Sequence, residues 1–89
     1  MQEEEILRLY KNTATRETAF RHMLKTYQER IYWHVRKIVI HHEDADDVTQ
    51  ETFIKIYKNL DGFNQTSKLY TWMYRIATNE ALTHLKKNK

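Results

Sequence analysis

The chain contains no cysteine, no proline and a single glycine among its 89 residues. Without thiols there is no disulfide framework, no thiolate metal site and no cysteine nucleophile. With so little proline and glycine the chain is almost unpunctuated. Long apolar runs of 3.6-residue period then argue for an all-α fold. No apolar run approaches the roughly 18 residues that a membrane span requires. The opening Met-Gln-Glu-Glu-Glu is acidic where a secretory signal would be basic, so a soluble, cytoplasmic protein is expected. No glycine-rich phosphate loop, Ser/His/Asp set or paired carboxylates stand out, and catalysis is not expected. The length suits one small domain with a modest core.

What the chain does have is charge, unevenly placed. The net charge is only +3. Between Glu43 and Glu51, however, there are five acids and no Lys or Arg, whereas Gly62 to Lys89 holds five basic residues against the single acid Glu80. Each cluster has a structural explanation, since carboxylates suit a helix N-terminus and cations a C-terminus. Their separation also suits two surfaces, one for a basic protein and one for a polyanion.

Four helices are expected, three long and one short. The first spans about Glu3 to Asn12. The second, capped by Thr15, runs from Arg16 to Ile40 with Ala19, Phe20, Met23, Leu24, Tyr27, Ile31, Val35 and Ile38 as its stripe. The third spans Asp44 to Leu60 and is stopped by Asp61-Gly62, with Gly62 placed for a left-handed cap. The fourth, capped by Ser67, runs from Lys68 to Lys87. Phe20, Ile31, Phe53, Ile56, Trp72 and Ile76 are expected to be mutually buried.

The third helix has one residue on the wrong side. Ala45, Val48, Thr52, Phe53, Ile56 and Leu60 share a core face at about 100° per residue. Asp47, Glu51 and Lys58 lie opposite, flanked by Gln50, and Ile54 sits among them. An apolar anchor ringed by carboxylates is what a patch selecting a basic partner needs. A lone exposed apolar residue is the ordinary alternative. On the fourth helix Leu69, Trp72, Met73, Ile76 and Ala77 form the apolar stripe. Lys68, Thr71, Arg75, Thr78, Asn79 and Lys86 line up within about 100° on the other side, with Tyr70 and Tyr74 near the margin. Such a stripe suits phosphates and base edges, although most charged faces are simply solvated. His41, His42, Glu43 and Asp44 point in different directions from a helix start and lack a distant ligand, so no metal or other cofactor is expected.

Asp44-Ala-Asp-Asp-Val-Thr-Gln-Glu-Thr-Phe53, followed after a loop by Tyr70-Thr-Trp-Met-Tyr-Arg-Ile-Ala-Thr-Asn79, strongly resembles region 2 of bacterial RNA polymerase sigma factors. The extracytoplasmic-function group is the nearest. Two motifs on separate helices, in the right order and spacing, carry the match, which covers nearly the whole chain.

The resemblance implies a non-catalytic specificity module for transcription initiation. It implies that Asp47, Gln50 and Glu51, with Val48 in the same segment and with Ile54 and Tyr57 added, dock on the arginine-rich clamp helices of the polymerase β′ subunit. It implies that the loop Phe63-Asn64-Gln65-Thr66-Ser67 captures a base flipped from the minus-ten promoter element, and that Arg75 and Asn79 contact the opened non-template strand. Lys68, Arg75 and Lys86 are expected on backbone phosphates. Asn64, Gln65, Ser67 and Asn79 are expected to set base preference, with Thr66 and Thr71 beside them. An anti-sigma factor belongs to the implied partners, and no membrane does. Trp72, half of the family's Thr-Trp pair, is expected in the core. Many relatives have Gly-Asp where this chain has Gln65-Thr66, and relatives carry a further helical domain, region 4. Residues 1–89 are thus expected to be a single region 2 domain, either excised or from a shortened relative. A helical protein-interaction module, or a DNA-binding module without polymerase binding, is the competing reading.

Overall fold

A computed structural model of the chain describes residues 2–87. Four helices follow in order: α1 Glu3–Lys11, α2 Arg16–Arg36, α3 His42–Asn59 and α4 Leu69–Lys87. Single 3₁₀ turns lie at Thr13–Thr15 and Leu60–Gly62. The described residues contain no strand, so the expected all-α architecture of three long helices and one short one is observed. No helix among them is long and apolar enough to cross a membrane.

α2 is the common neighbour: it packs against α1, α3 and α4, and α3 also packs against α4. Phe20 meets Tyr57 and Tyr32 meets His42, so α2 and α3 are antiparallel. Tyr27 stacks on Tyr70 and His34 on Tyr74, so α2 and α4 run parallel. α3 and α4 are therefore antiparallel, with Asp44 of the first 3.6 Å from His84 of the second. Met23, Ile31, Ile56, Leu69 and Met73 are among the largest fully buried side chains.

The core differs in one respect from the expected set. Ile31, Phe53 and Ile56 are buried, but Phe20, Trp72 and Ile76 are half-buried at its edge. On α4 the central row is Leu69, Met73, Ala77 and Ala81, all fully buried, at the i, i+4 spacing of a ridge. The two alanines let neighbouring helices approach closely. That leaves Trp72 and Ile76 on the α3 flank, where they share a recess with Lys55 and Asn59, and Tyr70 and Tyr74 on the α2 flank.

Helix ends also differ. α2 stops at Arg36 rather than Ile40, because Ile38, Val39 and Ile40 are β-branched in succession and weaken the helix. Amides of Lys37, Ile38 and Val39 still bond back to His34 and Val35. Leaving the helix buries Val39 and exposes 81% of Ile40. α3 begins two residues before Asp44, at His42, whose ring is held by the Tyr32 hydroxyl and faces Asp46. Thr15 does not cap α2. Its backbone (ψ 4°) is not extended, and its hydroxyl donates to the Leu9 carbonyl at 2.6 Å, closing α1 instead. Gly62 is not left-handed; α3 tightens into a 3₁₀ turn there, and a Cβ on Gly62 would meet nothing.

Candidate nucleic-acid interface and docking face

On α3 the residues Asp47, Gln50, Glu51, Ile54 and Tyr57 are all exposed on one outward arc, as the helical period predicts. The arc has two margins. Towards α2, Gln50, Ile54 and Tyr57 border a groove of about 350 Å³ with Phe20, Leu24 and Phe53. Tyr57 meets Phe20 edge to face at 4.9 Å. Towards α4, Asp47 and Glu51 line a recess with Thr83, His84 and Lys87, although none of these side chains forms a described ion pair with either carboxylate. Lys55 follows Glu51 by one turn but pairs across the helix interface with Glu80. The Asp47 and Glu51 carboxylates thus have no cationic partner among the described residues. The arc is an apolar groove bordered by exposed carboxylates. Phe20 and Leu24 were not legible as part of it. Phe20 reads as core from its place on the α2 stripe, and only the antiparallel fit of α3 turns its ring to the groove.

On α4, Thr71, Arg75, Asn79 and Lys86 are exposed on one side, and Lys68 is exposed just before the helix. Thr78 is not with them. It is half-buried, with its hydroxyl 2.7 Å from Nε2 of His34. The two halves of the expected stripe are separated by this turn towards α2.

The loop between α3 and α4 is built from local bonds. Phe63 packs on Trp72 with ring centroids 5.1 Å apart. Oδ1 of Asn64 accepts from the Thr66 amide and hydroxyl at 3.2 and 2.9 Å, an Asx turn. Between them Gln65 takes φ 61°, the left-handed region that disfavours side chains. Ser67 does not cap α4: its hydroxyl reaches the Lys68 carbonyl at 3.4 Å, and the first amide of the helix, Leu69, is bonded elsewhere. Replacing Gln65 with glycine removes the steric cost and should stabilise the fold by about 1 kcal/mol, raising the melting midpoint by about 4–8 °C. A midpoint unchanged or lowered in a thermal melt would show that the loop does not hold this turn in solution.

Aromatic rings join α4 to α2. Tyr27 stacks on Tyr70 at 5.4 Å, Tyr70 meets Tyr74 at 4.0 Å with the rings tilted by 50°, and Tyr74 stacks on His34 at 4.3 Å. Arg30 lies over the Tyr70 ring, and Lys25, Trp33 and Lys37 line the adjoining groove. The positive, ring-bearing surface therefore continues onto α2, which the sequence pattern did not reveal. His34 within it has its pKa lowered, first by burial and then by Lys37. The unfolded chain binds that proton more readily, so the contribution of His34 to stability should fall as pH drops through about 6.5. His34→Gln keeps a partner for Thr78 and should flatten that part of the melting-temperature profile between pH 7.5 and 5.5. Parallel profiles for parent and variant would exclude His34 as the source.

The sequence profile described as Sigma-70 region 2 matches residues 23–89. The chain belongs to the sigma-70 region 2 family. It is 37% identical over 71 residues to the ECF RNA polymerase sigma factor SigW of Bacillus subtilis (strain 168), covering 80% of this chain and 38% of that protein. It is 43% identical over 67 residues to the ECF RNA polymerase sigma-E factor of Escherichia coli (strain K12), covering 75% of this chain and 35% of that one. This region 2 chain thus spans little more than a third of the curated relatives it matches. Its fold is similar to an engineered region 2 of sigmaE solved by NMR in complex with GTAAAA. The TM-score is 0.83 at 34% identity, over 98% of this chain and 88% of that one. The α3 arc, the loop and the α4 face of this sigma region 2 all fall inside the matched residues. α1 falls outside them.

Proposed function

We propose that this chain is a cytoplasmic transcription-initiation specificity module and that residues 1–89 act as a single sigma region 2 domain. Asp47, Gln50, Glu51, Ile54 and Tyr57 dock on the β′ clamp helices of core RNA polymerase. The loop residues Asn64, Gln65, Thr66 and Ser67, with Lys68, Thr71, Arg75, Asn79 and Lys86, recognise and open the minus-ten promoter element. The observation that carries this reading is the division of labour between two antiparallel helices. α3 turns outward an apolar groove with exposed carboxylates, and α4 turns outward Lys, Arg, Thr and Asn beside a loop.

The chemistry follows from those groups. Basic clamp helices offer guanidinium groups for the α3 carboxylates, with the groove taking an apolar side chain between them. Cations on α4 neutralise backbone phosphates, while the amide side chains of Asn64, Gln65 and Asn79 read base edges. Opening needs no cofactor and no catalytic group. Unstacking a base costs a few kcal/mol, and its capture against the loop and its neighbours offsets that cost. An anti-sigma factor would act by covering one of these surfaces.

The test is filter binding of a single-stranded minus-ten oligonucleotide and a scrambled one across a salt series. The parent should prefer the minus-ten sequence. Removing Lys68, Arg75 or Lys86 should weaken binding to both and lower the salt slope by about 0.7 each, the value for one single-strand phosphate. A salt slope indifferent to all three would remove the α4 surface from the reading.

A further inference from the structure

The amide of Leu69, the first residue of α4, donates to Oε1 of Glu3 at 2.9 Å, across 66 positions of sequence. This is an N-terminal cap supplied from another helix. The first amides of a helix have no partner within it, and a carboxylate there also meets the positive end of the macrodipole. α4 has no acid of its own in its first turn, and Ser67 turns its hydroxyl to Lys68. Leu69 is fully buried, so water is a poor substitute for Glu3.

α1 is held where it can do this. Ile6 is fully buried and Tyr10 nearly so, anchoring α1 on α2. Glu3 also stands close to Tyr27, whose hydroxyl pKa is raised first by burial and then by that carboxylate. Tyr27 in turn stacks on Tyr70, the residue after Leu69. The loop from Phe63 to Lys68 is pinned at its entry by Phe63 on Trp72 and in its middle by the Asn64 turn. At its exit the non-local bond is the one to Glu3.

We propose that Glu3 is a positioning residue for the promoter-reading loop: through the Leu69 amide it fixes where the loop ends and α4 begins, and so sharpens base preference. This inference rests on the proposed function of the loop. It places part of the reading device in α1, which precedes residues 23–89 matched by the sequence profile.

The test compares the full chain with Glu3→Ala, which removes the acceptor, Glu3→Gln, which keeps an acceptor oxygen, and Ile6→Val, which weakens α1 without touching the bond. Each binds a panel of single-stranded hexamers carrying every base at each position, and each is followed by amide hydrogen exchange at Leu69. Glu3→Ala should lose about fivefold in affinity for the preferred hexamer, because ordering of the loop's exit is then left to the binding step. Its discrimination among bases should flatten, and its Leu69 amide should exchange faster. Glu3→Gln should restore most of the discrimination, and Ile6→Val should keep it. Discrimination by Glu3→Ala equal to that of the parent would overturn the inference and leave the loop's function standing. So would equal flattening by Ile6→Val. A parent that shows no preference among hexamers would overturn the reading of the loop itself, and this inference with it.

Discussion

Glu51→Arg should abolish most of the chain's binding to the β′ clamp helices, and Glu51→Ala or Asp47→Ala should each cost on the order of 2 kcal/mol in that affinity. Both carboxylates are exposed and lack a cationic partner among the described residues, because Lys55 is engaged by Glu80. Truncating them therefore breaks nothing inside the domain, and the effect on stability should stay within about 0.5 kcal/mol. The affinity loss is larger because docking dries the pairs. Ile54 and the Phe20–Tyr57 edge of the groove lie on the same arc and exclude water as a partner settles, which strengthens charge pairing in the lower dielectric. Reversing the charge adds repulsion to the loss of attraction. A pull-down on immobilised clamp helices, run beside thermal melts of the same proteins, separates the two quantities. Unchanged capture of both Asp47→Ala and Glu51→Arg, in folded protein, would return the arc to ordinary surface.

Phe53→Ala should destabilise the domain by roughly 3–5 kcal/mol, a large share of the 5–15 kcal/mol that folded domains possess. Phe53 is 4% exposed, and it forms both core and a wall of the groove between α2 and α3. The cavity left behind would be bounded by helices that already pack on three sides and have little freedom to close in. Trp72→Ala should cost less, because that indole is half-buried at the α3 flank and leaves a hole open to water. Urea unfolding followed by far-ultraviolet circular dichroism measures both. The order matters more than either value: a Trp72 variant less stable than the Phe53 variant would place the centre of the core nearer α4 than the structure has it.

The helices themselves were legible because an apolar stripe of 3.6-residue period survives every local irregularity. The outward arc of α3 was legible for the same reason, since period alone puts Asp47, Gln50, Glu51 and Ile54 opposite Val48 and Phe53. What the pattern does not contain is which row of a stripe becomes its centre. Size favours Trp72, but close approach of α2 and α3 favours the row with Ala77 and Ala81. Caps were read from near neighbours, which is where local sequence points. Thr15, Gly62 and Ser67 each have the right chemistry, and each was displaced by a contact the local sequence could not announce. Thr15 turned back to α1, a 3₁₀ turn replaced the glycine cap, and a carboxylate from α1 took the place of Ser67. The loop kept its expected position, but its left-handed residue is Gln65.

The central place of α2 has a consequence for how the molecule comes apart. α1, α3 and α4 all rest on it, and α3 rests on α4 as well, so loss of α2 takes a packing partner from every other helix. Local opening in such an arrangement has few stopping points short of global unfolding. The docking face and the reading face should then appear together during folding and vanish together under stress. A half-folded chain that keeps the proposed docking face while losing the proposed reading face is therefore not expected.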